Sequence, residues 1–247
     1  MTLPFKKIRE KLLAGDFSGL FRTSTEKVNI HPSEVANLFI SIPSDKAIDA
    51  FRAFQQEQQV AVLPYLDIQL QKKIIRSLPK EKASAILNKL SSDDRAIFYS
   101  SLKGIELSTL LDYLDHKNRS VLHSTLGYPD QSVARIINTD FAAINKDLTI
   151  GEANEHLRKY QKDTEAANVI YIVDKDGRLI DDIPVRRMVL TDPAKKIEDI
   201  LDGFCPSLKI TDSKEDAVLK FKEYDRIVLP VTNADNILLG VVTIDDV

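Results

Sequence analysis

Between residues 38 and 126 the hydrophobic positions of the chain recur on a beat of twelve. Two adjacent apolar residues and a third, four positions after the first, appear as Leu38/Phe39/Ile42, Ala50/Phe51/Phe54, Val62/Leu63/Leu66 and Ile74/Ile75/Leu78. The beat continues through Ile86/Leu87/Leu90, Phe98/Tyr99/Leu102, Leu110/Leu111/Leu114 and Leu122/His123/Leu126, where a histidine takes one apolar slot. On a helix these positions fall within about 100° of arc and make one apolar stripe. Turn or cap residues often follow, as in Pro43-Ser44-Asp45, Pro79-Lys80-Glu81, Ser91-Ser92-Asp93 and Lys103-Gly104. That leaves room for helices of about eight residues, about 12 Å long. So short a helix does not hold in water by itself. The pattern therefore predicts a solenoid of stacked short helices, with His123 packed and hydrogen-bonded in its slot. Residues 1–30 predict a lead-in helix (Phe5, Ile8, Leu12, Leu13) and a short segment at 17–21, together capping the array.

After Gly127-Tyr128-Pro129-Asp130 the period changes. Residues 131–137 predict one more helical turn, 141–144 a short strand and 149–160 an amphipathic helix. Residues 169–173 predict a strand, and Asp174-Lys175-Asp176-Gly177 a tight turn. A return strand follows through Leu179, Ile180 and Ile183, then a helix over 186–190. After Pro193 the same plan repeats: strand 207–210, helix 213–224, strand 227–231, turn 232–236, return strand 237–242 and a helix start at Thr243-Ile244-Asp245-Asp246. The chain ends at Val247, where the first copy still has a helix to run, so the expectation is that the natural protein continues. The fold class is multidomain α plus α/β, with an α-superhelix followed by a duplicated unit of about sixty residues.

Composition narrows the chemistry. The 247 residues suffice for two cores, and no run of eighteen apolar residues exists. The single cysteine, Cys205, excludes an internal disulfide. Net charge is −3, divided as +4 over residues 1–126 and −7 over 127–247. An acidic second half is a poor partner for nucleic acid and a good place to hold cations. Asp174-Lys175-Asp176-Gly177 is superficially like a calcium loop, but its twelfth position is Val185 rather than Glu. The four histidines lack zinc spacing, Cys205 lacks a nucleophile signature, and no phosphate-cradling glycine loop is present. The expectation is a module that is not an enzyme.

The duplicated unit resembles a tandem pair of CBS (cystathionine-β-synthase-type) modules. Its hallmarks are Val173-Asp174-Lys175-Asp176-Gly177-Arg178-Leu179, Leu229-Pro230-Val231 and Leu239-Gly240-Val241-Val242-Thr243-Ile244-Asp245-Asp246-Val247. With Ile30-His31-Pro32, the Leu-Pro junctions, Leu90-Ser91-Ser92-Asp93-Asp94 and Tyr128-Pro129-Asp130-Gln131-Ser132 before it, the whole is similar to the cytosolic part of MgtE-type magnesium channels over nearly all of residues 25–247. The resemblance implies an N-terminal helical domain over 1–127, a first CBS module over 128–192 and a second over 193–247. It also implies a homodimer through the CBS modules, on the cytoplasmic side of the membrane, leading into a transmembrane pore domain of the same chain.

The function so implied is Mg2+ sensing that closes the pore when the ion is plentiful. Asp93 matches a helical-domain acid that shares an ion with the second CBS module, Asp246 matches its partner, and Asp225 and Glu215 match further acids of the CBS cation cluster. Ala61 and Ser213 stand where the family has acids. Two readings of the same residues stay open. Asp93 also suits a first-turn acid of a helix. Thr243-x-x-Asp246 also resembles a ribose-binding device, which makes ATP or another adenine nucleotide a second ligand. The first copy carries Pro184-x-x-Arg187 at those places, replacing the ribose carboxylate with a cation. A third reading is a structural adaptor that uses its solenoid to bind a protein.

Overall fold

The structure, a computed structural model, describes residues 9–11, 13–14, 31–160 and 168–247. Residues 9–11, 13 and 14 are helical. The rest of the expected lead-in, with the segment at 17–21, lies outside the described residues. Chain contacts divide the protein into two compact units, one running to Leu90 and including Phe98–Arg119, the other combining Ser91–Ile97 with Ser120–Val247.

Eight short helices carry the twelve-residue beat: α1 (Pro32–Ile40), α2 (Ser44–Ala53), α3 (Gln56–Val62), α4 (Ile68–Ser77), α5 (Lys80–Lys89), α6 (Ser92–Ser100), α7 (Gly104–Leu111) and α8 (His116–Leu126). Their starts follow local chemistry. The Nδ1 of His31 accepts from the Ser33 N–H ahead of α1, and Asp67 accepts from the Gln69 N–H ahead of α4. The array stacks helix on second neighbour: α1 on α3, α2 on α4, α3 on α5. Side chains tie the rows together. Arg52 donates to the Ser77 carbonyl at 2.7 Å, Lys72 to that of Ser101 at 2.7 Å, and Ser84 to that of Tyr113 at 2.6 Å.

The apolar pairs form the core as the periodicity predicts; Phe51, Ile74, Ile86, Leu87 and Tyr99 have no accessible surface. In four of the triads the third residue departs from the expectation of one continuous stripe. Phe54, Leu66, Leu78 and Leu90 sit just past their helices in extended backbone, with ψ of 153°, 152°, 149° and 149°. Each is buried. A twelve-residue repeat needs a sharp corner, and the extended residue makes the corner while tucking its side chain inward. The last beat breaks. His123 is exposed rather than packed, and Thr125 is buried beside Leu122 instead, its hydroxyl satisfied by the Val121 carbonyl at 3.0 Å. A hydroxyl whose hydrogen bond stays inside its own helix costs little to bury, so this turn rotates without penalty.

In the second unit the duplication is visible strand by strand. Strand β1 (Ala143–Asn145) runs parallel to β2 (Val169–Val173), which pairs antiparallel with β3 (Leu179–Pro184). Strand β4 (Leu208–Lys209) runs parallel to β5 (Val228–Thr232), which pairs antiparallel with β6 (Leu238–Thr243). Both copies shift register at the same place, Ile172/Val173 and Val231/Thr232. Helices α9 (Ile150–Tyr160) and α10 (Val185–Leu190) belong to the first copy, and α11 (Lys214–Tyr224) to the second. The turn expected at Asp174 is an Asx turn: its carboxylate accepts the N–H groups of Asp176 and Arg178, both at 2.9 Å.

The segments that lead into the modules change places. The 3-10 turn Val133–Ile136 packs with Leu208, Ala217, Phe221 and Val242 of the second module. The turn Ile197–Ile200 packs with Ile144, Ile150, Ile172 and Met188 of the first. A third cluster, Tyr171, Leu179, Val228, Leu238 and Val241, is drawn from both sheets. Fully burying such side chains contributes about 1.5–3 kcal/mol each, so the two modules stabilise one another.

Candidate functional site

The start of α6 reads Ser91-Ser92-Asp93-Asp94, and the four residues take separate roles. The Ser91 hydroxyl donates to Asp94 Oδ2 at 2.8 Å and accepts from the Asp94 N–H at 3.4 Å. Asp93 and Asp94 both lie in the first turn of α6, as a first-turn acid would, and Asp94 is the one paired with the preceding serine. Asp93 is 4% exposed, and its Oδ1 is buried without a hydrogen-bond partner. An orphaned buried carboxylate oxygen is costly and calls for a ligand.

The second strip of acid comes from the end of β6. Thr243 precedes a 3-10 turn, Ile244–Asp246, and its hydroxyl donates to Asp246 Oδ2 at 2.5 Å rather than capping the turn. The two strips feel each other. Asp94 is pushed up to about 6, first by burial and next by the Asp93 charge; the Ser91 hydrogen bond opposes this, while Asp246 and Asp245 add to it. Asp246 is raised as well, first by burial, with Asp93 and Asp245 adding to it against the Thr243 bond. Asp93, Asp94, Asp245 and Asp246 thus form one field of mutually repelling carboxylates within the second compact unit.

Among the described residues, no group of three or more His, Cys, Asp or Glu side chains is placed to hold a metal by itself. A hard divalent ion at this cluster would take one or two carboxylate oxygens and complete its shell with water, the usual habit of Mg2+. Asp93 Oδ1 suits the first of those oxygens. Glu215 and Asp225 are placed elsewhere: Glu215 lies in the first turn of α11, and Asp225 closes the same helix in left-handed backbone at φ 50°. Ten residues of helix separate them by about 15 Å along the axis. Neither belongs to the field that shifts Asp94 and Asp246. Sequence reasoning passed over Asp94 and Asp245, although each is the neighbour of a named ligand in an Asp-Asp pair.

A second buried polar group lies between β3 and the following loops. Arg226 donates to both oxygens of Asp182, at 2.7 and 3.3 Å, and Asp181 accepts from the N–H groups of Asp202 and Gly203, each at 2.9 Å. Cys205 is half-buried beside Asp182, and burial pushes its thiol far up, with the Asp182 charge adding to it. Arg187 pairs with Asp202 at 3.2 Å on the surface. A cleft of about 330 Å³ beside α8, whose lining includes Ser124, Tyr128, Ile137 and Leu239, has no charged residue on its walls.

A superhelix of two-row short helices and a duplicated three-stranded module with exchanged lead-ins define the class: a helical domain followed by a CBS pair. Residues 30–131 match the family model described as the MgtE intracellular N domain, and residues 197–247 match the CBS domain model. Together the two matches follow the order of an MgtE N domain and a CBS module, and the chain is similar to MgtE proteins over most of its length. The magnesium transporter MgtE of Thermus thermophilus is 25% identical over 243 residues, 97% of this chain and 53% of the relative. That of Bacillus subtilis is 21% identical over 218 residues, 88% of this chain and 48% of the relative. The chain spans about half the length of these curated relatives. Among solved structures, the cytosolic domain of the Mg2+ channel MgtE in complex with ATP has the same fold, with a TM-score of 0.88 at 24% identity over 98% of both chains. The soluble part of a magnesium transporter aligns with a TM-score of 0.86 at 22% identity, over 98% of this chain and 94% of that one. Among the described residues no helix is long and apolar enough to cross a membrane.

Proposed function

We propose that this chain is the cytosolic Mg2+ sensor of a magnesium channel or transporter, gating a pore domain that follows it in the same polypeptide. Residues 1–127 serve as the helical domain, 128–192 and 193–247 as the CBS modules through which two copies dimerise. The observation that carries this reading is the buried, unpartnered Oδ1 of Asp93 in one field with Asp245 and Asp246. Asp93 and Asp246 hold one ion between them; Glu215 and Asp225, at opposite ends of α11, serve separate ions. Bound Mg2+ supplies the positive charge that converts carboxylate repulsion into attraction. That difference in affinity shifts the population toward a compact form. A full shift needs about 5.5 kcal/mol, so several ions or two subunits act together. The module senses and has no catalytic role. Small-angle scattering with and without Mg2+ tests it: the radius of gyration falls on adding the ion, and superimposable profiles refute the gating mechanism.

A second reading rests on the intact Thr243–Asp246 pair and on the relative that binds ATP. In it, Thr243 and Asp246 hold an adenine nucleotide. Calorimetry with ATP, ADP and AMP separates the two, because nucleotide binding is lost in Asp246→Ala and unaffected by Asp93→Ala. The two ligands are compatible in one protein.

A further inference from the structure

The two acidic strips come from positions far apart in sequence, yet one run of hydrogen bonds connects their supports. The Ser92 hydroxyl, on a side chain only 6% exposed, donates to the Ile137 carbonyl at 3.1 Å. The same oxygen accepts from the Thr139 N–H at 2.9 Å and lies 3.4 Å from the Thr139 hydroxyl. Between those two partners sits Asn138, which exchanges both backbone hydrogen bonds with Val241, each 2.8 Å. Val241 lies on β6, which runs into Thr243 and Asp246. Gly240 permits the close approach: a Cβ there would meet the Asn138 carbonyl oxygen at 2.5 Å. The route from Asp93 to Asp246 is thus Ser92, the 137–139 segment and β6. Ser92, Ile137, Asn138, Val241 and Val242 on this route are buried, Thr139 and Thr243 are half-buried, and all of it lies within the second compact unit.

We infer that Ser92 is the positioning residue of the cation site, a strut whose hydroxyl fixes the gap between the Asp93 and Asp246 carboxylates. The inference rests on the proposed Mg2+ site and adds to it the group that sets its geometry. A serine hydroxyl can do this because it donates once and accepts twice, so one side chain grips a carbonyl and an N–H of the same segment. An ion held by two carboxylates at short, near-octahedral geometry is sensitive to that gap. Alanine leaves both backbone groups without a side-chain partner and lets the strips part; threonine keeps the hydroxyl.

The test is calorimetric titration of MgCl2 into the full chain as wild type, Ser92→Ala, Ser92→Thr, Asp93→Asn and Ser84→Ala. Ser84 is a control, a hydroxyl that braces the helical array by donating to the Tyr113 carbonyl. Ser92→Ala is expected to weaken Mg2+ binding about tenfold or more, equivalent to about 1.4 kcal/mol. Ser92→Thr is expected to restore it, and Ser84→Ala to leave it unchanged despite a lower melting temperature. Binding lost in Asp93→Asn but unchanged in Ser92→Ala overturns the strut and spares the site. Equal weakening by Ser84→Ala also overturns it, since general destabilisation then accounts for the loss. A wild type that binds no Mg2+ overturns both. If Ser92→Ala does not fold, Ser92→Cys, with a weaker donor of similar size, carries the same comparison.

Discussion

Thr243 Oγ1 donates to Asp246 Oδ2 across 2.5 Å, so the residue that opens the last turn is spent on the acid that closes it. The bond orients the carboxylate and favours its ionised form, partly offsetting the burial that raises it. Thr243→Val removes that offset. That hydrogen bond favours the carboxylate, so the Asp246 titration midpoint is expected to rise when it is removed. Carboxyl-detected NMR titration of the two proteins checks this; an unmoved midpoint contradicts it.

The acidic field gives stability a pH dependence of definite sign. Asp94 titrates at about 6 in the folded protein against 3.8 as a free side chain. The folded state therefore binds the proton more tightly, and stability is fully present below the free value. It is lost as pH rises through the window between them. Asp246, also raised, adds a loss of the same sign. For Asp94 the ceiling is roughly 3 kcal/mol. Urea unfolding without divalent ions should show a lower midpoint at pH 7.5 than at pH 5, and Asp94→Asn should flatten the difference.

Asp93→Asn separates repulsion from ligand binding. It removes a buried charge that faces like charges, so the metal-free protein is expected to melt higher. A gain of about 1 kcal/mol corresponds to about 2–4 °C at this size. The same variant should lose the rise in melting temperature that Mg2+ gives the wild type, because ligand stabilisation follows affinity. Calorimetric scans with and without Mg2+ measure both effects. A variant that melts lower without Mg2+, or keeps the full Mg2+ response, counts against the assignment.

Legibility from sequence depended on how local the cause was. The twelve-residue beat, the strands and the tight turn at Asp174 are readable because each is dictated by residues within one turn or one hairpin. The corner role of Phe54, Leu66 and Leu78 was not, since a helical wheel assumes the helix reaches them. His123 was misplaced because apolar-slot counting cannot see that Thr125 satisfies its own hydroxyl and rotates the turn. The exchange of Val133–Ile136 and Ile197–Ile200 between modules was invisible for another reason: a duplicated sequence shows what repeats, not which copy it packs on. At the site, Asp93 and Asp246 came from the family resemblance. The separation of Asp93 from its helix-capping neighbour Asp94, and the Ser92 strut, needed the backbone of residues 137–139 in place.

Cys205 offers a check on the second buried polar group. Burial and the neighbouring Asp182 charge hold its thiol protonated well above its ordinary range, and the thiolate is the reactive form. Reaction with a disulfide reagent at pH 8 should be slow in the native protein. It should reach the rate of a free thiol only on unfolding. Arg226→Met removes the cation that balances Asp182 and should lower stability by about 3–5 kcal/mol if the charge remains buried. Rapid native labelling contradicts this picture of the pocket.

A divalent ion is expected between the start of α6 and the end of β6. The most direct measurement is a crystal structure of this chain grown with Mn2+ in place of Mg2+, with the metal located by its anomalous scattering. A peak is expected at bonding distance, about 2.1 Å for Mg2+, from an oxygen of Asp93 and within one water of Asp246. Saturating metal with no peak there, and with Asp93 turned away from Asp246, contradicts it.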